Sequence, residues 1–139
     1  MSNAFRELLE ERRMDYKTWV PVYCPALRNY IFFNMLGFNH LRFKIDGSPR
    51  NPKEAMYKLG LLPLVRPAIH SAAKIEKNER RLSPVGGSRK KVFKEIEYWS
   101  VIEVVGRKEV KIRVVFRRIG TGNVHFWSVM KLAENQKTP

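Results

Sequence analysis

The chain has 139 residues, 44% of them hydrophobic and 29% charged, and it carries a formal net charge of +14. This length and composition fit one globular domain with one core and exclude an intrinsically disordered chain. The positive excess favours a polyanionic partner, either nucleic acid or an anionic membrane surface, and says nothing about the fold.

Three further features concern the compartment in which the protein works. The longest apolar run, LGLLPLV at 59–65, is too short to cross a bilayer, and FRELLEERR at 5–13 lacks the apolar core of a secretory signal. Cys24 is the single cysteine, which excludes an intrachain disulfide and a cysteine-based zinc site. We therefore expect one domain over residues 1–139 in the reducing cytoplasm, with no membrane partner and no cofactor.

The first part of the chain predicts one helix and one segment of undecided structure. Residues 4–14 place Phe5, Leu8 and Leu9 on one helical face and glutamates on the rest. Residues 30–35 fit a strand as well as a buried helical turn, because their apolar run has no clear period.

Asn51 gives the clearest helix start, since a proline follows it at the first helical position and a glutamate completes a capping box. Gly60 is expected to end this helix, and Pro63 to open another that runs to about residue 77. Residues 77–91, KNERRLSPVGGSRKK, have the composition of a polar linker that is mobile or ordered only by a ligand. The linker carries three candidate nucleic-acid ligands, which are Arg89, Lys90 and Lys91.

The end of the chain alternates between apolar and polar residues, which is typical of strands. Residues 92–104, 109–119 and 124–132 predict three antiparallel strands, separated by VGRK at 105–108 and GTGN at 120–123. Because the helices precede the strands, the expected fold class is α+β, with N-terminal helices packed on a C-terminal antiparallel β-meander.

One face of the second predicted strand carries a row of cations. Lys111, Arg113 and Arg117 lie on this face, and strand residues two apart are separated by roughly 6.5–7 Å, close to the spacing of successive phosphates. The alternative is an ordinary solvated face. Arg118 ends the strand beside the glycine turn, where a site can open, and Arg107 lies in the preceding turn.

Three residues of the neighbouring strands are candidates for chemistry. His125 lies across the GTGN turn from the arginine pair and can exchange a proton near neutral pH. Ser128 faces the opposite side of an ideal strand, so the two would share a site only if a β-bulge intervened. Glu97 is a candidate general base for a ribose hydroxyl, and cross-strand pairing with an arginine is the alternative.

A further candidate is the segment FNHLRFK at 38–44, which in extended form would place His40, Arg42 and Lys44 on one face. The alternative is an exposed basic strand. Trp99 and Trp127 lie within predicted strands, so we expect both in the core. The sequence has no carboxylate cluster of the kind that holds two catalytic metals, and any cleavage is therefore expected to be metal-free.

The C-terminal half resembles the barnase–EndoU–colicin–RelE group of ribonucleases, especially its phage- and mobile-element-borne members. The segments that carry the resemblance are KVFKEIEYWSVIEVVG, KIRVVFRRIG and NVHFWSVM. It covers residues 36–132, whereas residues 1–35 match nothing in the group and form an N-terminal extension or helical part. The resemblance implies helices before a four-stranded antiparallel sheet, and RNA cleavage without metal by attack of the 2′-hydroxyl.

The resemblance also implies roles for individual residues. Arg117 or Arg118 would neutralise the scissile phosphate, and His125 would act as acid or base. Ser128 matches a small hydroxyl residue of the group. His40 together with Lys44 resembles an earlier histidine/lysine element of some members. The full set of expected catalytic residues is His125, Arg117, Arg118, His40, Glu97 and Ser128.

The sequence therefore favours a metal-independent endoribonuclease of toxin type. Two other hypotheses remain open. One is a module that binds RNA or DNA without cutting it. The other is a basic component that binds an acidic protein, such as an antitoxin or immunity protein.

Overall fold

The computed structural model describes residues 3–85 and 92–133. The expected ligands Arg89, Lys90 and Lys91 lie outside the described residues. The elements are α1 (Asn3–Tyr16), β1 (Val22–Cys24), β2 (Asn29–Ile31), α2 (Met35–His40), α3 (Pro52–Leu61), a 3-10 turn (Leu62–Leu64), α4 (Val65–Ser71), β3 (Lys77–Val85), β4 (Val92–Val105), β5 (Val110–Ile119) and β6 (His125–Lys131).

The main sheet is antiparallel and has the strand order β3-β4-β5-β6, while β1 and β2 form a separate hairpin. The bounds of β4, β5 and β6 agree with the predicted meander to within one residue at each end. The α+β class, with helices that precede and pack on an antiparallel meander, is confirmed.

The prediction of a polar linker is wrong for residues 77–85, which form strand β3. This strand pairs with β4 from Lys77 opposite Ser100 to Val85 opposite Val92. Its residues are mostly polar because β3 is an edge strand, held by backbone hydrogen bonds rather than by buried side chains. Pro84 is tolerated there, since an edge strand needs fewer backbone donors than a central one.

The helices differ from the sequence prediction mainly at their ends. Asn51 caps α3 as expected, and its side chain accepts a hydrogen bond from the backbone of Lys53 over 2.9 Å. Gly60 does not end the helix, which continues to Leu61 and into the 3-10 turn. The following helix stops at Ser71, well before residue 77, because the chain must then turn into β3.

Residues 30–35 prove to be the end of β2 followed by the start of α2, and the segment 38–44 is not extended. Asn34 caps α2 through a hydrogen bond of 3.2 Å to the backbone of Gly37. Gly37 lies so close to β6 that an added Cβ would stand 2.2 Å from the carbonyl oxygen of Phe126. A glycine is therefore needed for the close packing that brings His40, at the end of α2, to the sheet.

The core lies between the helices and one face of the sheet. Fully buried strand residues on that face are Val101, Ile112, Val114, Phe116, Phe126 and Val129. Fully buried helix residues opposite them include Phe38, Leu59, Val65, Ala68 and Ile69. Each large apolar side chain of this kind stabilises the fold by about 1.5–3 kcal/mol.

In the part of the chain that the structure describes, no helix has the length and apolarity to span a bilayer.

Candidate functional site

A β-bulge in β6 determines which side chains share the outer face of the sheet. Val115 pairs with Ser128, while the next residue of β5 pairs with Phe126, so Trp127 is one extra residue in β6. The bulge reverses the alternation between its two sides. His125 and Ser128 therefore face the same side, which is the condition that the sequence set for a shared site.

Trp127 contacts both His40 and Arg117 through the faces of its rings, and we call these three side chains the central stack. The His40 ring lies parallel to the indole, with ring centres 3.9 Å apart and an interplanar angle of 13°. The guanidinium carbon of Arg117 lies 3.4 Å from the centre of a Trp127 ring. Trp127 was expected in the core, and this prediction is wrong: the residue lies two positions after His125, shares its outer face and is only half-buried.

His125 is buried and fixes the orientation of Arg117. Arg117 Nε donates a hydrogen bond of 3.2 Å to His125 Nε2, and the imidazole also bonds to the backbone of Asn123. Since Nε2 uses its lone pair for Arg117, the ring N–H on Nδ1 serves the backbone. Burial, followed by repulsion from Arg117, lowers the pKa of His125 to about 4. A neutral imidazole with both nitrogens in use suits a residue that holds Arg117 in place.

His40 is only partly buried, and cations surround it. Arg50 Nη2 lies 3.2 Å from His40 Nε2, and Arg50 also donates to the His40 carbonyl over 2.9 Å. Burial is the main cause that lowers the pKa of His40 to about 4, and charge repulsion from Arg50, Lys58 and Arg117 adds to it. His40 is therefore a neutral imidazole at neutral pH.

Two of these cations are buried without a carboxylate partner. Lys58 is 7% exposed and donates to the Val129 carbonyl over 3.0 Å and to Ser128 Oγ over 3.4 Å. Arg117 is also 7% exposed and bonds to His125 and to the hydroxyl of Tyr98. Among the described residues, neither forms an ion pair with a carboxylate. Burial lowers the pKa of both side chains, which shows the cost of holding these charges away from water.

The structure separates Arg118 and Glu97 from this cluster. Adjacent strand residues point to opposite faces, so Arg118 lies on the helix-packed face when Arg117 lies on the outer face. Arg118 Nη2 donates to Glu97 Oε1 over 2.8 Å, and Asn78 bonds to the other carboxylate oxygen. Of the expected catalytic residues, Arg118 and Glu97 thus do not join His125, and the alternative stated for Glu97, cross-strand pairing with an arginine, is the arrangement found.

The remaining predicted phosphate ligands occupy diverse positions. Arg113 lies on the outer face but is held by Glu76 through two contacts of 2.7 Å. Lys111 pairs with Val104 at the far end of the same face. Arg42 approaches the Phe43 ring and does not line the groove with His40. Arg107 is exposed in the β4–β5 turn, and only Lys44 of this group lies beside the central stack.

The outer face of the sheet forms the floor of a cavity of about 760 Å³, which we call the groove. Residues 40–50 rise beside β6 as one wall, and β3 forms the other. Its lining residues of functional interest are His40, Lys44, Arg50, Arg81, Tyr98, Arg113, Trp127 and Ser128. The groove combines aromatic rings with an excess of cations, as expected of a site for a polyanion with flat rings.

Sequence reasoning missed several of the residues that make the site. Arg50 precedes a helix cap and Lys58 lies in the last turn of α3, so neither looks different from a solvated cation in sequence. Tyr98 was hidden within a strand of mostly buried residues. Only the amphipathic pattern of α3 offered a signal, since Lys58 follows Ala55 by three residues on the face that packs against the sheet.

No family model, curated protein or solved structure matches the chain. In residues 3–85 and 92–133, no group of three or more histidine, cysteine, aspartate or glutamate side chains is arranged to hold a metal ion. Functional inference therefore starts from the groove itself.

Proposed function

We propose that the groove binds RNA and that the protein is an endoribonuclease that cleaves the bound strand without metal. The main support is the pair of buried cations, Arg117 and Lys58, beside the neutral imidazole of His40. A buried charge is costly unless an opposite charge accompanies it. Neither cation lines the groove itself. Lys58 donates to Ser128 and Arg117 lies over the Trp127 ring, and both of these contacted residues do line it. A phosphate bound beside Ser128 and Trp127 would supply the negative charge that the protein's own carboxylates do not.

His40 is the proposed base that removes the proton from the 2′-hydroxyl. Its imidazole is neutral at neutral pH, partly exposed, and held in place by the central stack. A bound phosphate would cancel part of the repulsion from Arg117 and Lys58 and so raise the pKa of His40. The base would then become stronger only when substrate is present.

Ser128 and Lys58 are the proposed route of the second proton. The 2′-oxygen forms a bond to phosphorus while the bond to the 5′-oxygen breaks, which leaves a 2′,3′-cyclic phosphate and a 5′-hydroxyl. Ser128 lines the groove and accepts a hydrogen bond from Lys58, so its hydroxyl can protonate the departing oxygen and be reprotonated by the lysine. The lowered pKa of Lys58 makes it a better acid than an exposed lysine.

Arg117 would stabilise the negative charge that develops on the phosphate oxygens. Its planar guanidinium offers two parallel donors, and His125 and Trp127 fix its orientation before substrate arrives. We therefore assign His125 as a positioning residue for Arg117 rather than as the acid or base.

A second candidate function is RNA or DNA binding without cleavage. The observation that favours it is the pKa of about 4 for both imidazoles near the groove, since a base this weak accepts a proton inefficiently. This hypothesis and the first share the same groove and the same cations. They differ only in whether bound RNA is cut.

The test compares His40→Asn with His70→Asn on labelled RNA in the presence of EDTA. His70 is an exposed histidine of α4 outside the groove lining, so it is a matched control. We expect His40→Asn to slow cleavage by roughly 10²–10⁴-fold with little change in RNA affinity. His70→Asn should behave as the unmodified chain. Binding without any cleavage by the unmodified protein would favour the second candidate.

We further propose that the protein acts as a toxin in a reducing cytoplasm. An acidic antitoxin or immunity protein would control it. The buried thiol of Cys24 suits a reducing compartment, and the net charge of +14 suits an acidic partner. Such a partner would place carboxylates near Arg117. It should therefore compete with RNA for the unmodified protein.

A further inference from the structure

A second chamber lies beyond the central stack, and we call it the side pocket. Its volume is about 610 Å³, which lies in the range of small-molecule sites. The apolar walls are Leu36, Phe43, Ile45, Pro84, Ile96 and Ile119. It shares His40, Lys44, Ile45 and Trp127 with the groove, so the two chambers adjoin at the central stack.

The chemistry of the side pocket suits a flat, apolar ring that carries polar edges. The buried Arg117 lines it, and Asn39, Asp46 and Ser83 supply hydrogen-bonding groups among the apolar walls. A pocket that is mostly apolar with a few polar groups is typical of ring recognition. Because Arg117 lines this chamber, a ring bound there would have its phosphate beside the central stack.

Ile45 is the most informative wall of this chamber. Its side chain is 75% exposed although it lies on an ordered turn, where Gly47 donates to the Lys44 carbonyl over 2.9 Å and Lys44 donates to the Ser48 carbonyl over 2.8 Å. Asp46 tightens the turn through a hydrogen bond of 2.9 Å from the Ser48 backbone. The fold thus holds an exposed apolar side chain at the junction of two chambers, where a ligand would cover it.

We propose that the side pocket receives one unpaired nucleobase next to the phosphate at Arg117, and that the substrate is therefore single-stranded RNA. This inference rests on the proposed function and adds its substrate class. In a duplex the bases are stacked and paired, so none could enter a chamber that ends at Arg117 and Trp127. An unpaired strand can rotate one base out at little cost.

The experiment measures the affinity of short 2′-O-methyl RNA, which lacks the nucleophile and stays intact. The probes are the single strand, the same strand in a duplex, and single strands with one abasic position moved along the sequence. We expect the single strand to bind at least roughly tenfold more tightly than the duplex. One abasic position should weaken binding by roughly five- to hundredfold, as expected when one stacked base is lost.

The protein variants are Ile45→Ser and Val20→Ser, two exposed aliphatic residues of which only Ile45 lines the side pocket. Ile45→Ser should weaken binding of the intact single strand by roughly threefold or more. It should not weaken binding of the strand whose abasic position already lowers the affinity, because the base that Ile45 contacts is missing there. Val20→Ser should leave the affinity for every RNA probe unchanged.

The outcomes separate this inference from the function on which it rests. If the unmodified protein binds no RNA at low salt, the proposed function fails. If it binds RNA but treats single strand and duplex alike, only the side-pocket inference is overturned. Equal weakening of intact and abasic strands by Ile45→Ser would also overturn it, because the side chain would then not contact the base.

Discussion

The two faces of the sheet treat neighbouring arginines in opposite ways. On the helix-packed face, Arg118 lies over the Trp99 ring and pairs with Glu97 at 2.8 Å. On the outer face, Arg117 lies over the Trp127 ring and has a neutral histidine as its partner. Both guanidinium groups lie over a tryptophan ring, but only that of Arg118 has a carboxylate as counter-ion.

This difference gives Arg118 a structural explanation and leaves Arg117 as the residue to which the proposed function assigns the phosphate. A salt bridge inside the protein balances the charge of Arg118, so this residue needs no anion from outside. Arg117 is held rigid but left positive, which costs stability and prepares the face for an anion. The comparison predicts that variants of the two faces will have opposite consequences for stability and function.

The largest expected effect concerns Arg117→Lys. Lysine keeps the charge but loses the planar fork and the stacked geometry, so cleavage of RNA should fall by roughly 10²-fold or more. The matched variant Arg118→Lys should leave the cleavage rate within about twofold, because its face does not meet the substrate. Single-turnover rates with labelled RNA make this comparison, and equal losses for the two variants would contradict it.

The next effect uses methionine in place of a cation on each face. Lys58→Met removes a buried charge without a carboxylate partner and should raise the free energy of unfolding by about 1 kcal/mol while weakening RNA binding. Arg118→Met leaves Glu97 with fewer partners and should lower the free energy of unfolding by about 2 kcal/mol. This loss is small for a broken ion pair, because Arg118 Nε is already buried without a hydrogen-bond partner in the unmodified protein. Urea unfolding measures both changes, and a loss of stability in Lys58→Met would count against the account.

The outer face should also make stability depend on pH. The pKa values of His40 and His125 are about 4 in the folded protein and lie near the ordinary 6.5 when unfolded. The unfolded chain therefore binds more protons between these values, so stability is complete above pH 6.5 and falls as the pH drops towards 4. The loss should be on the order of a few kcal/mol for the pair. Urea unfolding between pH 4 and 7 should show a flatter profile for His40→Asn, and a profile of unchanged slope would refute the assignment.

The smallest effect concerns Lys44, at the junction of the groove and the side pocket. Lys44→Ala should weaken binding evenly for all RNA sequences and reduce the slope of log affinity against log salt by about one. Arg107→Ala is the control, since this exposed cation lies at the other end of β5 from Arg117. Fluorescence anisotropy over a salt series would show the difference. Equal slopes for the two variants would mean that RNA does not follow the groove.

Much of the fold could be predicted from the sequence, because residue patterns within single segments determine most of its helices and strands. The alternation in β5 and the glycine turn before β6 predicted both strands, and Asn51 predicted the start of α3. Strand β3 could not be predicted, since its pairing depends on backbone hydrogen bonds to β4 and its sequence shows no apolar pattern.

The candidate site was only partly accessible for a similar reason. Period two alone should have separated Arg117 from Arg118, and it placed Arg117 correctly on the face of Lys111 and Arg113. The bulge at Trp127 has no sequence signature, yet it decides that Ser128 joins His125 on the outer face. The approach of His40 depends on helix packing between distant segments, which no local pattern reports.

The central claim is that a phosphate binds among the cations beside His40. NMR titration of the His40 imidazole, with and without uncleavable 2′-O-methyl RNA, tests this most directly. The account predicts a pKa of about 4 in the free protein and a clear rise towards neutrality in the complex. A pKa that stays at its free value in the RNA-saturated protein would contradict the claim, because no negative charge would then have reached the central stack.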